Sequence, residues 1–395
     1  MTLTRTGTLV GVGSVAAAVL AWLFGLPELA TLAAAGLVLV AVAAVWVRLR
    51  SRPLAIARVA RPPRLAVGEH CEIRLVTRNP QRRSSPVTTL EDRVGRHGNA
   101  KLVLAPLTPG ERCVATYSLP TGRRGLHHVG PLRSIVEDPF ALARRTRTDE
   151  RELTVIVLPR TWVLDALPPA PGDEPEHGTH SLTSASSVDE EFAALRDYVP
   201  GDDVRRIHWR STARRGTPVV RQFDVPWQRR TTVLLDLRAG PDEVAFERAV
   251  SAAASVVQLV ARRDELVRLV TTDGADSGFV PAAEHLDELM DRLAVVSVDP
   301  PERSRPEPLL ATLGQLDRTR TGRLVTCTAG LRDQDAAALG GATRSVGLHV
   351  VVTTSATAPA LDEPATIVVR AEAGHELDRA WADAVTVAGS VEQQR

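Results

Sequence analysis

Lysine is almost missing from this chain of 395 residues: of 48 basic side chains only Lys101 is a lysine, and all the others are arginines. A phosphate-cradling GxxxxGK[ST] loop, a Schiff-base lysine and a Ser-x-x-Lys nucleophile each need lysine in a set context. Lys101 sits in Asn-Ala-Lys-Leu, so the chain is not expected to be a P-loop ATPase itself. Cysteine is scarce as well. Cys71, Cys113 and Cys327 are odd in number and show no CxxC spacing, which argues against a disulfide framework or a cysteine zinc site and fits a reducing compartment. A dominant charge sign is also lacking, with a formal net charge of +1. That near-zero sum hides an asymmetry. Residues 1–53 carry four Arg against Glu28, residues 54–150 carry 17 basic and 9 acidic groups, and the remainder carries 27 and 37. The middle is therefore basic by 8 and the C-terminal part acidic by 10.

Long apolar runs are what the N-terminus has. Residues 6–26 and 29–47 contain no charged side chain, giving stretches of 21 and 19 residues, each long enough to cross a hydrocarbon core as a helix. Gly25, Pro27 and Glu28 interrupt them, which permits only a tight antiparallel hairpin. Arg5 precedes the first run and Arg48, Arg50 and Arg52 follow the second, so the arginine bias puts both flanks in the cytoplasm. Trp22 and Trp46 then fall near opposite interfaces. A cleaved secretory signal is the competing reading, but it gives no reason for a second apolar run capped by three arginines. The expectation is a multi-pass anchor in the cell membrane, residues 1–53, with the bulk of the chain cytoplasmic.

Residues 54–158 show short alternating runs, such as Glu72 to Val76, Leu102 to Leu104 and Cys113 to Tyr117, separated by Pro-Gly, Asn-Pro and Gly turns. They read as an antiparallel β-sandwich whose basic character suits an anionic leaflet as well as plain solvation. Residues 159–190 are rich in Pro, Gly and Ser and read as a linker. His177 and His180 within it have HxxH spacing but no third ligand nearby. Over residues 230–392 strand-like runs at Thr231 to Leu237, Leu266 to Thr271, Leu324 to Thr328, Leu348 to Thr353 and Ile367 to Val369 alternate with helical patterns. The first helix carries Phe246, Ala249, Val250, Ala253, Val256, Val257 and Val260 on one face, and others fit 283–294, 307–318, 332–342 and 376–388. This alternation predicts an open, largely parallel α/β sheet covered on both faces.

Between linker and α/β region, residues 191–229 hold the most distinctive stretch. From Asp189 to Phe223 there are seven arginines and six carboxylates, interleaved with Phe192, Tyr198, Ile207 and Trp209. Forked guanidinium groups alternating with carboxylates suit an ion-pair network, either a structural clasp or a docking surface. The acidic groups oppose phosphate attraction, so nucleic acid is not expected as a partner. The pattern Leu195, Arg196, Tyr198, Gly201, Asp202, Arg205, Ile207, Trp209, Ala213 and Arg214 resembles the signature of the domain of unknown function 58 family. Arg124-Gly125, Gly130-Pro131 and Asp138-Pro139-Phe140-Ala141-Leu142 resemble that family's upstream elements, with Ala141 where glycine is usual.

The resemblance implies two N-terminal membrane helices, a cytoplasmic portion and a C-terminal von Willebrand factor A-like fold. It also implies association with MoxR-type AAA+ ATPases and transglutaminase-like membrane proteins, and hence a non-catalytic adaptor or accessory role in assembling or remodelling other proteins. A von Willebrand A domain binds Mg²⁺ through Asp-x-Ser-x-Ser after its first strand, a later threonine and an Asp after the fourth strand, all hard oxygen ligands. Here the first element reads Asp236-Leu237-Arg238-Ala239-Gly240, and Ala329-Gly330 follows the fourth run. Only Asp236 remains, so no cofactor or metal is expected, and Arg238 is placed to supply the positive charge instead. Thr272-Asp273-Gly274 reads as a turn. The alternative function is a divalent-cation-dependent receptor using the degenerate position Asp236. A hydrolase built on His208 and Ser211 or Thr212 is disfavoured, because chain proximity is not geometry.

Overall fold

The computed structural model describes residues 1–167, 191–197, 209–224, 230–238, 243–298, 308–316, 322–332, 335–336, 339–341, 346, 348–354, 366–371 and 377–392. The chain forms two compact units, Met1–Leu158 and Pro159–Arg395.

The first unit opens with a two-residue strand β1 (Thr2–Leu3), then helices α1 (Arg5–Phe24) and α2 (Pro27–Arg50). Thr4 caps α1, its side-chain oxygen accepting from Gly7 N at 3.0 Å, and Pro27 starts α2 in the first turn, where its missing N–H costs nothing. Both helices are long and apolar enough to cross a membrane. At 1.5 Å per residue their 20 and 24 residues span about 30 Å or more. Leu9, Val12, Trp22, Leu23, Phe24, Leu32 and Val38 are exposed, whereas the buried positions other than Val47 are small: Gly7, Ser14, Ala21, Ala33 and Ala43. The helices thus meet through small side chains and turn their large ones outward, as lipid contact requires. At the foot of the hairpin Ala43 and Val47 pack on Leu142 and Ala143.

The strands that follow are β2 (Ala55–Arg61), β3 (Arg64–Ala66), β4 (Cys71–Arg78), β5 (Thr88–Val94), β6 (Asn99–Leu104), β7 (Arg112–Leu119), β8 (Gly125–Glu137), β9 (Ala143–Asp149) and β10 (Leu153–Leu158). One sheet runs β2-β4-β7; the other runs β1-β9-β8-β10-β3, with β5 joining β8 to β6. Alternate residues such as Cys71, Ile73 and Leu75 of β4 point to a core shared with Val129, Val155 and Val157 of the second sheet. Two sheets over one core agree with the sequence reading, except that the antiparallel expectation fails at β3 and β10, which pair parallel. A parallel pair cannot be closed by a hairpin, and the turn pattern of the sequence gives no sign of it.

In the second unit a two-stranded antiparallel ribbon, β11 (Glu191–Asp197) and β12 (Val219–Asp224), encloses helix α3 (Trp209–Arg215) in sequence. Then come β13 (Arg230–Leu235), α4 (Glu243–Arg262), β14 (Leu266–Thr271), β15 (Val280–Pro281), α5 (Ala282–Val295), α6 (Pro308–Gln315), β16 (Arg323–Thr328), β17 (Leu348–Thr353), β18 (Thr366–Arg370) and α7 (Leu377–Glu392). Their sheet has the order β15-β14-β13-β16-β17-β18 and is parallel but for the edge strand β15. One face packs Leu234, Val270, Leu324 and Val351 against Leu309 and Leu313 of α6. Helix α4 is also long and apolar enough to cross a membrane, yet most of its residues from Ala245 to Ala261 are buried within the unit.

Residues 159–167, expected as part of the linker, are instead held on this unit. Trp162 N donates to Ser255 Oγ at 3.0 Å, Arg262 Nη2 to Leu164 O at 3.1 Å and Trp381 Nε1 to Ala166 O at 2.7 Å, with Leu164 and Leu167 buried. Apolar side chains between the prolines supply that anchorage. His177, His180 and the Ser-rich stretch lie outside the described residues; of the helix expected over 332–342, residues 335–336 and 339–341 are helical, and 333–334, 337–338 and 342 lie outside the described residues.

Candidate functional site

The order of the parallel strands reverses between β13 and β16, and the crevice beyond their carboxyl ends is where open α/β sheets bind ligands. Four side chains converge there. Asp236 directly follows β13, and its backbone N–H donates to Cys327 O at 2.9 Å across the switch point. Arg238, two residues on, turns back so that its Nε lies 3.0 and 2.9 Å from the two Asp236 oxygens, and its Nη2 lies 2.8 Å from Oδ2. The other edge of the guanidinium meets Asp335, Nη1 to Oδ1 at 3.2 Å and Nη2 to Oδ2 at 3.0 Å. Thr328, the last residue of β16, donates its hydroxyl to Asp236 Oδ2 at 2.8 Å. All are buried, with side-chain exposures of 8% for Arg238, 1% for Asp236 and 0% for Asp335.

The backbone completes the arrangement. Arg238 N donates to Asp236 Oδ1 at 3.1 Å and Arg332 N to Asp335 Oδ2 at 2.9 Å, while Leu237 N donates to Thr272 Oγ1 at 2.9 Å. Burial opposes the charge on Arg238, but the paired hydrogen bonds to Asp236 and Asp335 outweigh it and carry its pKa upward. A bidentate guanidinium between two carboxylates is a strong, geometrically exact lock.

Mg²⁺ takes six oxygen ligands in near-octahedral geometry, protein carboxylates among them. Here the guanidinium already bridges both carboxylates, so a metal would have to displace Arg238; the residues present fit an internal cation rather than Mg²⁺. Among the described residues no group of three or more His, Cys, Asp or Glu is gathered as metal ligands. The neighbouring thiol of Cys327 is fully buried and pushed up to about 12, so it stays protonated and unreactive at neutral pH.

The sequence reading singled out Asp236 and the role of Arg238, and missed Thr328 and Asp335. It looked for the second carboxylate immediately after β16, whereas Asp335 stands six residues beyond Ala329. The available signal was an acidic residue opening the helix expected over 332–342. Thr272-Asp273-Gly274 forms a turn, with Thr271 Oγ1 bonded to Asp273 and Gly274 N donating to Thr271 O.

Of the signature residues, Arg196 lies on β11 opposite Val220 of β12. Trp209 begins α3 and is 67% exposed, and Arg214 on the same helix is exposed. Tyr198, Gly201, Asp202 and Arg205 lie outside the described residues, as do Ile207 and His208. The Thr212 hydroxyl accepts from Val219 N at 3.1 Å, a contact that fastens α3 to β12.

The upstream elements have clear structural duties. At Gly130 the backbone has φ +128°, and a Cβ there would meet Arg151 O at 2.9 Å and Arg58 Nη1 at 3.0 Å. That arginine bridges the two sheets: Nε and Nη2 grip the buried Asp92 at 2.9 and 2.7 Å, and Nη1 donates to Val129 O at 2.8 Å. Tyr117 donates to the same carboxylate at 2.7 Å; its own pKa is driven up, first by burial and then by Asp92. Asp138 accepts from Phe140 N, Leu142 N and Ala143 N, folding the Asp-Pro-Phe-Ala-Leu turn around its carboxylate. That turn receives the hairpin: Thr4 N donates to Leu142 O at 3.0 Å and Thr4 Oγ1 to Ala141 O.

Comparison with known proteins adds the following. The uncharacterized protein YeaD of Bacillus subtilis (strain 168) is 27% identical over 194 residues, which cover 47% of this chain and 46% of that protein. The match thus spans about half the length of that relative. Among solved structures, the CARDB domain of the PF1109 protein of Pyrococcus furiosus, solved with di-metal ions, is 15% identical, covering 27% of this chain and 92% of that one at a TM-score of 0.22. The alkylpurine DNA glycosylase AlkC of Pseudomonas fluorescens is 10% identical, covering 31% and 38% at a TM-score of 0.17. Likenesses at those scores carry no argument. The family comparison does reach the site: residues 194–352, which include Arg196, Trp209, Asp236, Arg238, Thr328 and Asp335, match the family described as protein of unknown function DUF58.

Proposed function

We propose that this protein is a membrane-anchored, non-catalytic adaptor whose α/β unit is a von Willebrand factor A-like domain with an arginine in place of the metal. It works beside a MoxR-type AAA+ ATPase and other membrane proteins in assembling or remodelling clients. The observation that carries the reading is Arg238 held between Asp236 and Asp335 at the switch point of the sheet. Asp236 directly follows the first strand of the domain, where the von Willebrand A pattern has its first metal-ligating aspartate, and Asp335, seven residues past the end of β16, brings a second carboxylate to the same guanidinium. With the cation built in, the crevice needs no ion to stay assembled, and recognition falls to the surface, where Trp209 is an exposed aromatic of the kind enriched at interfaces. Nucleotide chemistry is assigned to the partner because the one lysine lies outside any phosphate-binding motif.

The anchor reading is supported by both ends of the helical pair, since β1 and the foot of α2 meet the same sandwich. Both flanks are thereby assigned to one side, and the arginines make that side the cytoplasm. The test is recovery of the full-length protein from membranes with ATP present. A MoxR-type ATPase is expected to co-purify, and to be lost on Arg205→Glu or Trp209→Ala. Absence of the ATPase from the wild-type preparation overturns the adaptor reading.

A further inference from the structure

Where α2 leaves its apolar run, a cavity of about 180 Å³ opens between the end of the helix and the loop after β4. One wall is Trp46, Leu49 and Arg50 of α2, followed by Arg52; the other includes Arg83. Trp46 and Arg50 are four residues apart and share a face of the helix. No carboxylate lines the cavity. The guanidinium groups of Arg50, Arg52 and Arg83 have no ion-pair or hydrogen-bond partner among the described residues. This contrasts with Arg58, Arg151, Arg238, Arg268 and Arg323, each paired with an acidic residue.

The loop that carries Arg83 is held in place. The buried Asn79 donates through Nδ2 to Arg83 O and Leu107 O, both at 2.9 Å, and accepts from Gln81 N at 3.0 Å; Ser85 Oγ accepts from Leu107 N at 2.9 Å. Three permanent positive charges are therefore gathered around a preformed space with nothing to balance them, and an aromatic ring and a leucine border it on the side of the apolar run. An anion with a phosphate group fits that charge. The bordering Trp46 and Leu49 favour one carried on an acyl chain, because the end of a spanning helix is at headgroup depth.

We infer that the cavity bounded by Arg50, Arg52 and Arg83 is a headgroup site for an anionic phospholipid of the phosphatidylglycerol type. The inference rests on the membrane-anchor reading. It is tested with the full-length protein in detergent, titrated with phosphatidylglycerol, with phosphatidylcholine and with inorganic phosphate. Retention of lipid by native mass spectrometry and the melting temperature are the two readouts.

Phosphatidylglycerol is expected to be retained and to raise the melting temperature where phosphatidylcholine and phosphate do not. Arg83→Gln alone should weaken retention about fivefold, and the triple change Arg50→Gln, Arg52→Gln, Arg83→Gln on the order of a hundredfold. The control triple Arg93→Gln, Arg96→Gln, Arg112→Gln removes the same charge from exposed positions elsewhere on the sandwich and should retain the lipid. Equal loss in the control, unchanged retention in Arg83→Gln and the first triple, or an equal effect of inorganic phosphate would each overturn the inference. Alkaline carbonate extraction separates it from the anchor reading: a protein washed out of membranes defeats both, whereas one that stays embedded without lipid preference defeats only this site.

Discussion

Arg238 is the residue on which the α/β crevice depends, and its removal tests what it does. Arg238→Ala leaves Asp236 and Asp335 facing each other, buried and uncompensated, which should cost about 3–5 kcal/mol in stability. Arg238→Ser is expected to suffer similarly but to recover on adding Mn²⁺ or Mg²⁺, because it returns an oxygen to a place already supplied by two carboxylates and Thr328. Thermal melts with and without the ion decide this, and a metal effect on the wild type as large as on the variant would sink the internal-cation account. Ala141 offers a change of opposite sign. It has φ +54°, a left-handed conformation that costs an L side chain roughly 1–2 kcal/mol, so Ala141→Gly should stabilise the first unit by up to about 1 kcal/mol. A lower melting temperature for that variant would contradict the reading. Glycine carries no Cβ cost at this φ, so it suits a position that the sequence alone marked only as a departure from the resembled motif. Asp236 and Arg238 were legible because two residues replaced an expected serine pattern. Asp335 was not, because its distance from β16 is set by a turn rather than by strand periodicity.

At the scale of elements, the two apolar helices and most α/β strands could be read from hydrophobic runs, since burial imposes periods of 2 and 3.6 on side chains. The contact between α1 and α2 could not. Both helices are apolar all round, so no stripe marks the facing side, and the register emerges only where small residues let the backbones approach. A Cβ on Gly36 would run into the Ser14 side chain, whereas one on Gly11 would meet nothing within 4 Å. Gly36→Leu is therefore expected to force the helices apart at a cost of about 1–3 kcal/mol, while Gly11→Leu leaves them in place. Melting of the two variants in the same detergent measures the difference, and equal melting temperatures would show that the helices are not packed through Ser14 and Gly36. The same logic applies at the foot of the hairpin, where a Cβ on Gly7 would collide with Leu142 O. That collision places the Asp-Pro-Phe-Ala-Leu turn against α1, an assignment no periodicity in the sequence contains.

For the whole molecule, the sequence arithmetic already separated a basic part from an acidic one, and the division into Met1–Leu158 and Pro159–Arg395 follows that split closely. What composition could not reveal is that the α/β unit buries a histidine within its parallel sheet. His349, on β17, is fully buried, with Nε2 2.9 Å from Thr326 Oγ1. Burial pulls its pKa down to about 4 from 6.5, and a hydrogen bond with the Leu339 backbone resists only in part. A histidine depressed by folding binds its proton more readily when unfolded. Its contribution is therefore complete above pH 6.5 and is lost as the pH falls from 6.5 towards 4, in total on the order of 3 kcal/mol. Scanning calorimetry of the full-length protein should resolve two transitions, of which the one belonging to the α/β unit moves down between pH 7 and pH 5. His349→Gln cannot take up that proton, so it should flatten the pH dependence of that transition and leave the other as it was. If the α/β transition of this variant still falls as steeply with pH as that of the wild type, the acid sensitivity does not originate at His349.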